Sequence, residues 1–129
     1  MTLLLDTHVW LWLQATPEKL APSTLAKLED PGVALVLSVA SAWEIAIKHA
    51  LGKLALPCPP MPYVSTRLAR HGLRTLPVEL HHALGVADLP PLHSDPFDRI
   101  LVSQARAEGM TLVTADPNVL RYGGLMLPA

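Results

Sequence analysis

Four acidic side chains stand where a folded chain could bring carboxylates together. Asp6 ends the apolar run Met1-Thr-Leu-Leu-Leu5, and Asp116 closes Leu-Val-Thr-Ala-Asp. Glu44 lies in Ser-Ala-Trp-Glu-Ile-Ala-Ile-Lys, and Asp98 in Asp95-Pro-Phe-Asp-Arg-Ile-Leu. Carboxylates held at one sheet end repel one another, and only a positive charge justifies the arrangement. No lysine or histidine occupies a matching strand end. A hard divalent cation with oxygen ligands, Mg²⁺ or Mn²⁺, is the natural counter-charge. Such a site activates water and stabilises an in-line displacement at phosphorus.

Each acid also has a local structural reading. Asp6 and Asp116 precede helical segments, where an N-cap aspartate satisfies free N–H groups. Asp95 reads as the N-cap of a helix, Pro96 as its first residue and Asp98 as its third, where a carboxylate favours the helix dipole. However, residues three, four and seven beyond Asp98 are Leu101, Val102 and Ala105. Asp98 therefore continues an apolar stripe and is expected to point inward. A buried carboxylate needs a cation or several hydrogen bonds. Glu44 and Lys48 form an i,i+4 pair, worth only about 0.2–0.5 kcal/mol on a solvated helix. Their helix starts directly after a buried strand, so its first turn faces the same sheet end as Asp6.

The elements that must position these acids follow from apolar runs and breakers. Buried strands are expected at Met1–Leu5, Val33–Leu37 and Met110–Val113, with short ones at Leu73–Leu76 and Leu125–Leu127. Helices are expected at Thr7–Gln14, stopped by Pro17, and at Ser23–Asp30, with Ser23 as its cap. Ser38–Leu51 reads as a helix ended by Gly52, Tyr63–His71 as one ended by Gly72, and Val78–Ala87 as another. Asp95–Glu108, stopped by Gly109, carries the most start and stop signals. Pro57–Pro62 reads as a proline-rich connection and Leu89–Ser94 as a loop. Short strands alternating with helices predict an α/β layer fold with a largely parallel sheet. Ligands of such sheets sit beyond the carboxyl ends of the strands.

Composition narrows the classes. The 129 residues suffice for a single domain, 1–129. Half are hydrophobic and 16% charged, which excludes intrinsic disorder. The longest uncharged stretches, Pro31–Trp43 and the proline-broken Leu54–Thr66, reach 13 residues. A membrane span needs about 18. Only Leu3–Leu5 precede the first charge, so no secretory leader is expected and a cytoplasmic location is. The lone Cys58 rules out an intrachain disulfide or a cysteine-rich zinc site. A net charge of −1 gives no global attraction for nucleic acid. The apolar composition points to surface covered by a dimer or another partner.

Four segments in order carry a family resemblance. They are Leu-Leu-Asp6-Thr-His-Val-Trp-Leu-Trp; Ser-Val-Ala-Ser-Ala-Trp-Glu44-Ile-Ala-Ile-Lys with Leu-Gly-Lys-Leu; His93-Ser-Asp95-Pro-Phe-Asp98-Arg-Ile-Leu; and Glu-Gly-Met-Thr-Leu-Val-Thr-Ala-Asp116. Together they resemble a PIN domain, most of all the VapC-type toxins of bacterial and archaeal toxin–antitoxin pairs. The resemblance covers essentially the whole chain. It implies a three-layer sandwich with a central, largely parallel sheet flanked by helices, and a metal-dependent endoribonuclease activity. Motif by motif, the family's acidic quartet falls on Asp6, Glu44, Asp98 and Asp116, with Mg²⁺ or Mn²⁺ held by Asp6, Asp98 and Asp116. Asp95 is an additional acid with a capping or supporting role, and Thr114 matches a hydroxyl residue two before the last acid. The implied partners are an RNA substrate, a small cognate antitoxin and a second copy in a homodimer.

Hydrolysis by an activated water leaves 5′-phosphate and 3′-hydroxyl ends. No histidine pair is placed to drive a 2′-hydroxyl attack. A structured RNA with an accessible loop is the expected substrate, since unpaired segments expose what a protein reads. His93 reads as a loop hydrogen-bonding residue, and the adjacent His81 and His82 as ordinary helix residues pointing apart. Trp10 and Trp12, two residues apart, cannot share a helix face. One is expected in the core; the other, with Leu13, is expected to line a groove for an amphipathic antitoxin segment. An antitoxin arginine would fit the clustered carboxylates. Arg67, Arg70, His71 and Arg74 form the only basic cluster, either a solvated helix end or a phosphate contact.

Two other classes compete. A receiver-like phosphotransfer domain also groups acids at strand ends, but it wants an acid pair after the first strand and a lysine near the last. Here Asp6 is followed by Thr-His-Val, and Lys48 and Lys53 come too early. A non-catalytic binding module would use the same acids purely as helix caps.

Overall fold

Leu3, Leu4 and Leu5 offer no polar face to water, so the strand they form belongs inside a sheet covered on both sides. The computed structural model describes residues 1–129. It places β1 (Thr2–Leu5) between β2 (Ala34–Ser38) and β4 (Thr111–Thr114), with β3 (Arg74–Leu76) and β5 (Met126–Pro128) at the edges. Every pairing is parallel, in the order β3-β2-β1-β4-β5. The expected largely parallel sheet is thus wholly parallel. Seven helices connect and cover it: α1 (Thr7–Ala15), α2 (Pro22–Glu29), α3 (Val39–Ala50), α4 (Pro60–His71), α5 (Leu80–Gly85), α6 (Pro96–Glu108) and α7 (Pro117–Leu120).

Alternate strand residues face opposite layers. Leu3, Leu5, Leu37 and Val113 pack with Val9 and Trp10 of α1, Leu28 of α2, Ile45 of α3 and Tyr63 of α4. Leu4, Val36 and Leu112 pack on the other side with Leu101, Val102 and Ala105 of α6. Where α3 and α6 meet, Ser38 Oγ donates to Gln104 Oε1 at 2.6 Å, and Gln104 Nε2 donates to the Pro77 carbonyl at 3.2 Å. Both side chains are fully buried, so this tie is satisfied within the protein.

Three boundaries differ from expectation. Pro22 takes the first position of α2 and Ala21 its N-cap, so Ser23 is not the cap. The helix α4 starts at Pro60, inside the proline-rich stretch, because a proline in a first turn gives up no needed N–H. The expected helix over Val78–Ala87 contracts to α5, followed by a 3₁₀ turn at Val86–Asp88. Gly72 and Gly109 end α4 and α6 in the left-handed region, at φ 63° and 66°, as a glycine stop requires.

Trp10 is fully buried and meets Tyr63 edge-on, with ring centroids 6.0 Å apart. It is therefore the core tryptophan and drops out of the expected partner groove. Trp12 and Leu13 are half-buried against the same cluster. The exposed tryptophan is Trp43, whose ring stands edge-on to Phe97 at 5.3 Å. Sheet order also decides against the receiver-like arrangement, which runs 2-1-3-4-5. No helix is long and apolar enough to cross a membrane.

Candidate active site

The strand order reverses between β1 and β4, and open parallel sheets bind ligands at such a point, beyond the carboxyl ends. Asp6 and Asp116 follow those two strands. Asp6 N–H continues the ladder by donating to the Val113 carbonyl at 3.0 Å. Its buried carboxylate accepts from Val9 N–H at 2.8 Å and so caps α1. Asp116 caps α7, accepting from Asn118 N–H at 2.9 Å, while its own N–H donates to Thr114 Oγ1 at 3.1 Å. Asp6 and Asp116 line one small cleft with His8, Trp12 and Ala115. Capping is real at both positions. It accounts for one oxygen of each carboxylate and leaves the clustering unexplained.

Glu44 is 3% exposed, which rules out a solvated surface pair with Lys48. The Thr7 hydroxyl donates to Glu44 Oε1 at 2.6 Å, with Ser41 Oγ 2.9 Å from the Thr7 oxygen. Lys48 Nζ donates to Glu44 Oε2. Hydrogen bonding to Glu44 holds the lysine above its usual range, and the charges of Asp95 and Asp98 add to this. Lys48 therefore stands as a fixed cation beside the acids, joining Glu44 to the α6 end of the site.

Asp95 caps α6, accepting from Phe97 N–H and Asp98 N–H at 2.9 and 3.1 Å. Asp98 sits one turn inside, its side chain 19% exposed, with Oδ2 3.1 Å from His93 Nε2. Burial pushes the Asp98 carboxyl up to about 6; the His93 hydrogen bond opposes this, and the charges of Asp95 and Asp116 add to it. Burial likewise lifts Asp6 above the usual carboxylate range, against the hydrogen bonds of Thr114 and Val9 and with help from the Glu44 charge. These mutual effects tie all four acids to one end of the sheet. Raised values on two of these carboxylates mark a place short of positive charge.

The donor set fits a hard divalent cation. It consists of carboxylate oxygens with no thiol; the His93 imidazole is engaged with Asp98, and His8 is the one imidazole lining the cleft beside Asp6 and Asp116. Asp6, Asp98 and Asp116 have oxygens to offer, whereas both Glu44 oxygens already accept hydrogen bonds. Another grouping, His81, His82 and Glu108, has its ligand atoms within 4.8 Å of one another. It fits a metal poorly. His82 Nδ1 accepts from Glu79 N–H at 3.0 Å, so Nε2 carries the ring hydrogen and donates to Glu108 at 3.1 Å. The two histidines do not simply point apart as expected: His81 Nε2 also reaches Glu108, at 3.4 Å.

The basic cluster resolves toward the structural reading. Arg67 lies 3.6 Å over the Tyr63 ring and donates to the Tyr63 carbonyl. His71 and Arg74 border a hollow with Glu29 and Asp30, at the amino ends of β2 and β3, opposite the acids. Sequence reasoning did not single out Tyr122 or Arg99. The contacts that join them to the site each span more than twenty residues: Arg99 donates to Tyr122 Oη at 2.8 Å, and Tyr122 Oη is 2.8 Å from His93 Nδ1.

Known proteins resemble this chain in sequence and in fold. Ribonuclease VapC22 of Mycobacterium tuberculosis is 30% identical over 116 residues, covering 89% of this chain and 87% of that protein. Ribonuclease VapC16 of the same organism is 47% identical over 60 residues, which span 46% of this chain and only 41% of that relative. Among solved structures, VapBC2 from Rickettsia felis, bound to a promoter DNA fragment, superposes with a TM-score of 0.72 at 18% identity, covering 98% of this chain and 97% of that one. DNA-bound VapBC from Salmonella typhimurium gives 0.68 at 16% identity, covering 99% and 98%. The PIN domain family matches residues 3–125, a span holding all four acids and all of the sheet except Thr2 and its last edge strand. With this family match over most of the chain and a relative 30% identical along nearly its whole length, the chain belongs to the PIN domain family.

Proposed function

We propose that this protein is a Mg²⁺- or Mn²⁺-dependent endoribonuclease and the toxin of a toxin–antitoxin pair. The observation that carries the reading is the gathering of Asp6, Glu44, Asp98 and Asp116 where the sheet order reverses, with burial already disfavouring the charge on two of them. Its relatives named ribonucleases support RNA as the substrate. When bound, a hard divalent ion neutralises these acids and activates water toward phosphorus. Asp6, Asp98 and Asp116 are the residues that would hold it. Glu44 fixes Thr7 and Lys48 by hydrogen bonds, and Lys48 contributes a permanent positive charge at the rim. His93 is committed to Asp98 and Tyr122, and His81 and His82 to Glu108, so none of these three is free to activate a 2′-hydroxyl; His8, beside Asp6 and Asp116, has no second histidine next to it in that cleft.

A solved toxin–antitoxin complex from Klebsiella pneumoniae shares the fold and supports a small antitoxin as partner. Trp12, half-buried beside Asp6 and Asp116, is the α1 tryptophan within reach of such a segment. A homodimer completes the reading: Val39, Trp43 and Val78 are exposed apolar side chains near Phe97, an arrangement that favours association. Sedimentation at twice the 13.9 kDa monomer mass is the expected result for the chain alone. For the activity, the purified chain should cut a structured RNA in Mg²⁺ or Mn²⁺ and stop when a chelator is added. Cleavage at full rate in chelator would overturn metal dependence.

A further inference from the structure

An unbroken hydrogen-bond route runs from Arg99 to Asp98, and its direction is set at the Arg99 end. A guanidinium has donors and no acceptor, so Arg99 Nη1, 2.8 Å from Tyr122 Oη, must donate to it. The Tyr122 hydroxyl is then left with its own hydrogen to give, and His93 Nδ1 lies 2.8 Å away. A ring nitrogen that accepts holds no hydrogen, so the neutral His93 ring carries it on Nε2. Nε2 is 3.1 Å from Asp98 Oδ2 and donates to it. Arg99 occupies one acceptor site of the Tyr122 oxygen, and the hydroxyl hydrogen completes the route to His93.

The chain is anchored at its far end and shielded along its length. Arg99 also donates to the carbonyls of Pro90 at 2.9 Å and Val86 at 3.3 Å, so its head cannot swing away without losing several bonds. Tyr122 is buried, and the His93 side chain is 13% exposed with its ring 5.4 Å from that of Tyr122. Asp98 Oδ1 has no hydrogen-bond partner of its own, so the chain occupies one oxygen and leaves the other for the acid cluster.

We infer that His93 and Tyr122 are positioning residues for Asp98, holding its carboxylate by an Arg99–Tyr122–His93 hydrogen-bond chain that sets the His93 tautomer. The inference rests on Asp98 being a metal ligand in the proposed nuclease site. Outer partners that orient metal-binding groups typically change metal affinity by roughly 10- to 100-fold when removed. Tyr122→Phe keeps the ring and removes only the hydroxyl, so Nδ1 loses its donor and the tautomer is no longer set.

The test needs neither RNA nor turnover. Long-range ¹H–¹⁵N correlation on the metal-free protein at about pH 8 should show His93 as the Nε2–H tautomer. In Tyr122→Phe the signals should move toward a mixture with the Nδ1–H form. Mn²⁺ affinity, read by calorimetry, should fall about 10-fold or more in Tyr122→Phe and in His93→Ala. His93→Gln should recover part of it, since an amide N–H can still donate to Asp98. An Nδ1–H or doubly protonated ring in the wild type would overturn the inference, as would unchanged Mn²⁺ affinity in Tyr122→Phe. If the wild type shows the expected tautomer and binds Mn²⁺ but cuts no RNA, the nuclease reading fails and the positioning of Asp98 stands.

Discussion

Asp6→Asn should abolish RNA cleavage and leave the fold intact. The substitution separates two roles that one side chain performs. As an N-cap, Asp6 accepts from Val9 N–H, and an asparagine oxygen accepts the same bond with little loss. As part of the acid cluster it supplies negative charge, which asparagine lacks. Losing a ligand that stabilises charge in the transition state removes several kcal/mol. At about 1.4 kcal/mol per decade, the rate should fall by about 1000-fold or more. Circular dichroism and thermal melting should match the wild type or exceed it, because the Glu44 charge no longer opposes a second one. Cleavage at the wild-type rate would return Asp6 to a capping role alone.

Asp98→Asn should make the metal-free protein more stable at neutral pH, although it inactivates the site. The folded protein holds the Asp98 proton up to about pH 6, whereas the ordinary value is 3.8. The folded state therefore binds this proton more tightly than the unfolded state, and stability from this group is full below about pH 4. It declines as pH rises through about 6 and levels off above that. The shift corresponds to at most roughly 3 kcal/mol. Asparagine carries no charge at any of these pH values, and its oxygen still accepts from His93. Chemical denaturation in chelator should show Asp98→Asn more stable than wild type by about 1–3 kcal/mol at pH 7.5, with the gap closing toward pH 4. Adding Mg²⁺ should stabilise the wild type by mass action and narrow the gap. A variant less stable than wild type at pH 7.5 would mean that Asp98 is a structural acid.

The residues that proved legible in the sequence are those whose role is set by near neighbours. Asp95-Pro-Phe-Asp98 reads directly as cap, first and third helical residues, and the structure has Asp95 accepting from Phe97 and Asp98 as that pattern requires. The buried runs before Asp6 and Asp116 likewise place those acids at strand ends, because a leucine- and valine-rich run has nowhere to go but the sheet interior. Local readings failed where a distant partner decides. His81 and His82 converge on Glu108, 27 and 26 residues away, which no spacing within α5 encodes. Trp10 and Trp12 are equivalent in hydropathy; Tyr63, on a helix begun fifty residues later, settles which one enters the core. Glu44 read alone as a surface pair, yet Thr7 from another helix meets its other oxygen.

The proposal that the acid cluster hydrolyses RNA with water as nucleophile is tested most directly by the ends of the products. RNA cut by the purified protein in H₂¹⁸O and Mg²⁺ should carry 3′-hydroxyl ends and 5′-phosphates holding one ¹⁸O atom. Products ending in 2′,3′-cyclic phosphate, with unlabelled 5′-hydroxyls, would contradict it.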